Sequence, residues 1–217
     1  VALLEQHADA DLMATAAANA AQIAPPPYSV GAVEDQDWVR LTQSQFEPIP
    51  ISQRLWITPT WHECPDADAI SIQLDPGLAF GTGSHPTTRL CLKWLDANLA
   101  PGETVMDYGC GSGILAIAAK KLGAGKTEGV DIDPQAMIAS RQNAEQNQVE
   151  INFYLPDQEP QGQYDVVVAN ILTNPLKALA PLLAGKVRAG GRITLSGILE
   201  EQADDVIAIY SPWFAFA

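Results

Sequence analysis

The run Asp107-Tyr108-Gly109-Cys110-Gly111-Ser112-Gly113 joins an apolar strand pattern to an apolar helix pattern, and chemistry concentrates there. Glycines at such a junction tolerate positive φ and let a ligand approach the backbone, while the helix behind them presents unsatisfied N–H groups. The spacing is G-x-G-x-G rather than the G-x-G-x-x-G of a dinucleotide fingerprint, and Asp107 stands just ahead of it. A carboxylate in that place repels a diphosphate and suits the ammonium of an amino-acid moiety. A glycine turn alone is often only a tight connection, so the weight rests on its companions.

The first companion is Gly129-Val130-Asp131-Ile132-Asp133. Asp131 lies about 20 residues past the glycine turn, where a carboxylate binds the ribose hydroxyls of a nucleoside cofactor. Ile132 would pack on its base. Asp133 has a sufficient task as the cap of the helix opening at Pro134, and it is left out of the site. The bland alternative makes Asp131 a cap too. The second companion is the glycine-hinged loop Phe80-Gly81-Thr82-Gly83-Ser84-His85-Pro86-Thr87-Thr88, which can wrap a ligand and set hydroxyls and helix N–H groups against a carboxylate. An N-cap with Pro86 in the first turn explains it as well. The third is Asn170-Ile171-Leu172-Thr173-Asn174-Pro175, after a valine-rich strand. Open α/β sheets bind ligands at that edge, and the Asn170 amide with its neighbouring carbonyls could accept hydrogen bonds from an amine. A turn opening the next helix is the alternative. All four segments fall at strand ends or in a loop that can fold over them.

The elements that must position these residues alternate regularly. Strands are expected at Ala69–Leu74, Thr104–Asp107, Thr127–Asp131, Ile151–Leu155, Tyr164–Asn170 and Arg192–Ser196, with helices at Gly113–Leu122, Pro134–Asn147, Pro175–Val187 and Glu200–Tyr210. Val166-Val167-Val168 marks a central strand buried on both faces. This is an α/β chain with a mainly parallel, doubly wound sheet. Phe214-Ala215-Phe216 reads as a further strand cut short. Ahead of the regular part lie an Ala-rich helical segment, Val1–Ala24, stopped by Pro25-Pro26-Pro27, a strand at Tyr28–Val33, a short helix at Asp37–Gln45, and the extended piece Leu55-Trp56-Ile57. This first quarter has no clean period and reads as a linker with the edge of another module.

Composition excludes several classes. An apolar fraction of 47% over 217 residues suits a globular core, and no apolar run approaches the length of a membrane span. A basic-then-apolar signal pattern is missing, so the cytoplasm is the expected compartment; an opening on Val1 rather than Met is what a fragment would show. Cys64, Cys91 and Cys110 are dispersed, as are His7, His62 and His85, so neither a disulfide framework nor a metal site is expected. A net charge of -14 works against direct nucleic-acid binding and favours a basic macromolecular partner. A monomer is expected.

The run Leu74-Asp75-Pro76-Gly77-Leu78-Ala79 with the Phe80–Thr88 loop resembles the signature of ribosomal protein L11 methyltransferases. So do Asp107–Gly113, Gly129–Pro134, Ala169–Leu172 and Ser196-Gly197-Ile198-Leu199. The similarity spans about Asp37 to Tyr210. It implies a Rossmann-like class I fold, S-adenosylmethionine as cofactor, and methylation of lysine side chains and the N-terminal amine of a basic ribosomal protein. By position, Thr88, Gly109, Asp131 and Asn170 match the family's cofactor-binding residues; Asp107, Gly111, Phe80, Thr82 and Ile132 complete the expected site, with Asn170 as its catalytic residue. Residues 1–36 correspond to the tail of the family's N-terminal recognition domain and its linker, and 37–217 to the methyltransferase domain, with its last strands incomplete. The rival readings are a methyltransferase of another amine (a small molecule or a base), an NAD-dependent oxidoreductase, which the glycine spacing disfavours, and a non-catalytic binding module.

Overall fold

A computed structural model describes residues 9–24, 27–30, 46–75, 83 and 85–216. The chain divides into two compact units, Val1–Thr42 and Gln43–Ala217. In the first, helix α1 (Ala10–Ala21) starts where the Asp9 carboxylate accepts from the Leu12 N–H at 3.0 Å, and it ends where Gln22 turns left-handed. Tyr28 to Val30 carry no regular structure, and the rest of the strand expected at Tyr28–Val33 lies outside the described residues, as does the helix expected at Asp37–Gln45.

The second unit opens with a small three-stranded sheet: β1 (Ile49–Pro50) runs antiparallel to β2 (Leu55–Thr58), and β2 pairs in parallel with β3 (Ile70–Gln73). Residues 46–59 belong to the second compact unit. Leu55, Ile57 and Ile72 are buried in the same core as Leu92, Ile114 and Phe153. Apolar burial wins over the irregular sequence period because every second side chain of this short sheet points inward.

Helix α2 (Pro86–Asn98) leads into a five-stranded sheet made of β4 (Val105–Tyr108), β5 (Thr127–Val130), β6 (Asn152–Tyr154), β7 (Tyr164–Asn170) and β8 (Val187–Ser196). The order is β6-β5-β4-β7-β8, and every pair is parallel. The order therefore reverses between β4 and β7, which is where such sheets open a crevice. Helices α3 (Ile114–Lys121) and α4 (Pro134–Gln146) follow β4 and β5, and α5 (Thr173–Ala178), α6 (Ala180–Lys186) and α7 (Ala203–Tyr210) cover the other face. Ile114 to Ala119 are all buried, so α3 is apolar all round and sandwiched. Among the described residues no helix is long and apolar enough to cross a membrane.

In the regular part the structure departs from the expected elements at several further points. The helix expected at Pro175–Val187 starts earlier, at Thr173, and is broken at Leu179, because Pro181 has no N–H to continue the ladder. Strand β8 begins at Val187 rather than Arg192. A register shift takes the pairing from Tyr164–Val187 to Val166–Arg192, and Gly190, at φ +73°, turns within it. Residues 214–216 form no strand; the Phe214 N–H caps the end of α7 at Tyr210, and its ring lies 6.3 Å from that of Tyr210.

Helix α4 starts as the sequence suggests: the Asp133 carboxylate accepts from the Gln135 N–H at 2.9 Å, with Pro134 in the first turn. Asp133→Ala should cost about 1 kcal/mol and lower the melting temperature by roughly 2–4 °C. A thermal melt that does not move would remove the cap from the account.

Candidate functional site

The glycine turn is shaped by φ at three positions, +78° at Gly109, +52° at Gly111 and +79° at Gly113. At Gly109 a Cβ would meet Ile171 Cγ2 at 2.2 Å, so only glycine lets the turn lie against the loop after β7. Asp107 is wholly buried at the end of β4, where one carboxylate oxygen accepts from the Ala116 N–H at 3.0 Å. The other oxygen, Oδ1, is buried without a protein partner. Burial pushes this carboxyl up to about 7; the Ala116 N–H opposes the rise and the Asp131 charge adds to it. Asp107 is therefore a carboxyl held under the turn rather than an open surface acid.

Asp131 sits across the turn. Its Oδ2 accepts from the Gly111 N–H at 2.8 Å and its Oδ1 from the Asp133 N–H at 3.0 Å. Both bonds brace the carboxylate, and each oxygen keeps a second lone pair for a hydroxyl. Ile132 beside it is 82% exposed, an apolar side chain left bare at the mouth of the crevice. Cys110, inside the turn, is no nucleophile: burial, then the charges of Asp107 and Asp131, raise its thiol far above the ordinary range.

Asn170 ends β7, and its Nδ2 donates to Thr88 Oγ1 at 3.2 Å. Thr88 is buried in the first turn of α2. That bond fixes the amide plane and leaves Asn170 Oδ1 as a directed acceptor. The neighbouring strand supports it: Ser196 pairs with Asn170 in the ladder, and its hydroxyl donates to the Thr87 carbonyl at 3.3 Å. His85 caps α2, with Nδ1 accepting from the Thr87 N–H at 3.3 Å. Gly83, at φ +77°, packs so closely on β2 that a Cβ would lie 2.1 Å from Ile57 Cδ1.

Asp107, Gly109, Gly111, Asp131, Ile132, Asn170 and Thr88 thus converge on the carboxyl edge of β4, β5 and β7. Phe80 and Thr82 lie outside the described residues. Sequence reasoning gave no role to Ser196 or Gly197, although a Ser-Gly pair closing a strand beside an Asn-ended one is the signal that could have found them. A Cβ at Gly197 would lie 2.3 Å from the Ile171 carbonyl oxygen. Among the described residues no three His, Cys, Asp or Glu side chains gather as metal ligands.

Known proteins share both the sequence and the fold. The family model described as "Ribosomal protein L11 methyltransferase (PrmA)" matches residues 1–217. The ribosomal protein L11 methyltransferase of Thiobacillus denitrificans is 69% identical over 217 residues, which are all of this chain and 73% of that protein. A crystal structure of ribosomal protein L11 methylase from Lactobacillus delbrueckii subsp. bulgaricus superimposes with a TM-score of 0.70 at 35% identity, covering 77% of this chain and 88% of that one. A Thermus thermophilus 16S rRNA N2 G1207 methyltransferase, solved with AdoMet and guanosine, shares the fold at a TM-score of 0.52 and 22% identity, over 63% of this chain and 40% of that one. With the glycine turn, the braced carboxylate and the strand order agreeing with a match along the whole chain, this protein belongs to the ribosomal protein L11 methyltransferase family.

Proposed function

We propose that the chain transfers methyl groups from S-adenosylmethionine to amines of ribosomal protein L11, at lysine side chains and the N-terminus. The Asn170–Thr88 pair at the reversal of the sheet order carries this reading. It presents a fixed acceptor beside a turn suited to a nucleoside bearing an amino acid. The residues fit that cofactor: Asp131 offers lone pairs to ribose hydroxyls, bare Ile132 offers an apolar face to adenine, and the partnerless Asp107 oxygen suits an ammonium. When bound, S-adenosylmethionine supplies a methyl group already activated on sulfur.

The protein's part is then placement rather than proton chemistry. A lysine has a reference pKa of about 10.4 and must react as the neutral amine, a form that withdrawal from water favours. Asn170 Oδ1 accepts one amine N–H and so points the lone pair, and holding that geometry supplies much of the rate. The net charge of -14 attracts a basic ribosomal protein.

Two measurements test the reading. Mass spectrometry of unmethylated L11 incubated with the chain and S-adenosylmethionine should show added methyl groups on amines. Calorimetry should show binding of S-adenosylhomocysteine and not of NAD. Asp131→Ala should weaken that binding by about 1.5–3 kcal/mol, the range for hydrogen bonds to a charged group. Equal affinity in parent and variant would take Asp131 out of the site.

A further inference from the structure

Leu172 and Leu199 are large apolar side chains that are 74% and 59% exposed, and they belong to the two loops that leave the adjacent strands β7 and β8 on the ligand-binding edge. Single exposed leucines need no explanation, but two on neighbouring loops of a functional edge do. These loops are joined. The lack of a side chain at Gly197 lets one backbone press on the Ile171 carbonyl of the other. Gln202 completes the junction: its Oε1 accepts from the Leu199 N–H at 3.2 Å and also from the Thr173 hydroxyl, while its own N–H donates to the Leu199 carbonyl at 2.9 Å. One amide oxygen thus fastens the residue after Leu172 to the residue that carries the second leucine. Thr173 is buried, so the hydroxyl end of this junction is shielded from water, while the Leu199 end stays open to it.

We propose that Leu172 and Leu199 form an apolar clamp for the methylene stem of the acceptor side chain, and that Gln202 is the positioning residue that sets the clamp. The inference rests on the amine-methylation reading and adds to it what selects the amine. Leu172 stands two residues beyond Asn170, so a side chain whose nitrogen meets the Asn170 amide passes the leucines with its stem. Lysine is suited to this arrangement, with an apolar stem for apolar surface and a polar head for the polar site.

The test offers peptides with a single lysine, or with ornithine or diaminobutyrate in its place, to the chain saturated with S-adenosylhomocysteine, and reads Kd. Methyl transfer to the same peptides from S-adenosylmethionine is followed separately. For the parent, affinity should fall about fourfold with each methylene removed. Leu172→Ala/Leu199→Ala should weaken the lysine peptide about tenfold and flatten the series to less than about twofold per methylene, with S-adenosylhomocysteine affinity unchanged. A series equally steep in parent and variant, a parent indifferent to stem length, or a parent that binds none of the peptides overturns the clamp. Methyl transfer without stem dependence sinks the clamp alone. A stem-dependent Kd without methyl transfer sinks the amine-methylation reading instead. For Gln202, the alanine variant should lower kcat on the lysine peptide with little change in cofactor affinity, and Gln202→Glu, which keeps the accepting oxygen, should restore most of it. Equal losses in both variants would remove Gln202 from the positioning role.

Discussion

Asp107→Asn should make the folded protein more stable at pH 8 than the parent and should remove a stability loss that the parent suffers between about pH 4 and pH 7. The sign follows from the direction in which burial moves the carboxyl. Burial raises it in the folded state to about 7 from an ordinary value of 3.8, so across that window the unfolded chain has released its proton while the folded chain still holds it. The folded state binds more protons there, and stability falls as pH rises. A rise of this size corresponds to roughly 4 kcal/mol at full extent. Asparagine keeps an oxygen for the Ala116 N–H, which receives its bond at 3.0 Å, and carries no charge into the core. Urea melts at pH 5 and pH 8 check this: the parent-to-variant gap should open with pH. A gap that is constant, or that closes at pH 8, would mean that Asp107 titrates as an ordinary carboxylate. On the proposed reading, in which the partnerless oxygen meets the ammonium of the cofactor, the same substitution should also weaken S-adenosylhomocysteine binding.

That carboxyl also shows what the sequence makes legible. Strand β7 was readable because a buried parallel strand is a continuous apolar run, and the turn after β4 because three glycines in five residues have few structural explanations. The Asp131 placement was readable from its spacing, and the structure shows the carboxylate braced by Gly111 and Asp133. The burial depth of Asp107 was not readable: composition puts an acid ahead of the turn, and only packing decides that it lies at zero exposure against the start of α3. The break at Leu179 and the early start of β8 were missed for a related reason. Both depend on which backbone groups find partners across the sheet, and side-chain pattern says little about that. Residues 46–59 looked irregular because a four-residue strand shows only two turns of its period, too few to stand out from a linker. Gln202 was invisible for want of any local motif, since its partners Thr173 and Leu199 meet only through the fold.

Asn170→Ala should lower the rate of methyl transfer by about 10²–10³ while weakening S-adenosylhomocysteine binding far less, the loss typical of one well-placed hydrogen bond in a preorganised site. Its position makes the effect specific. Asn170 ends a strand whose Val166, Val167, Val168 and Ala169 are all fully buried, so its Cα cannot drift, and the 3.2 Å bond to Thr88 fixes the amide that remains. Removing the amide leaves the amine free to turn its lone pair away from the methyl group, which costs orientation and not affinity. Thr88→Val should act in the same direction with a smaller loss, because the Asn170 amide survives but is no longer held in one plane. If Asn170 serves only to close the turn before α5, the alanine variant should instead melt at a lower temperature and keep its turnover per folded molecule. Single-turnover kinetics beside a thermal melt separate the two outcomes. A normal rate constant with a lowered melting temperature would transfer Asn170 from the chemistry to the scaffold.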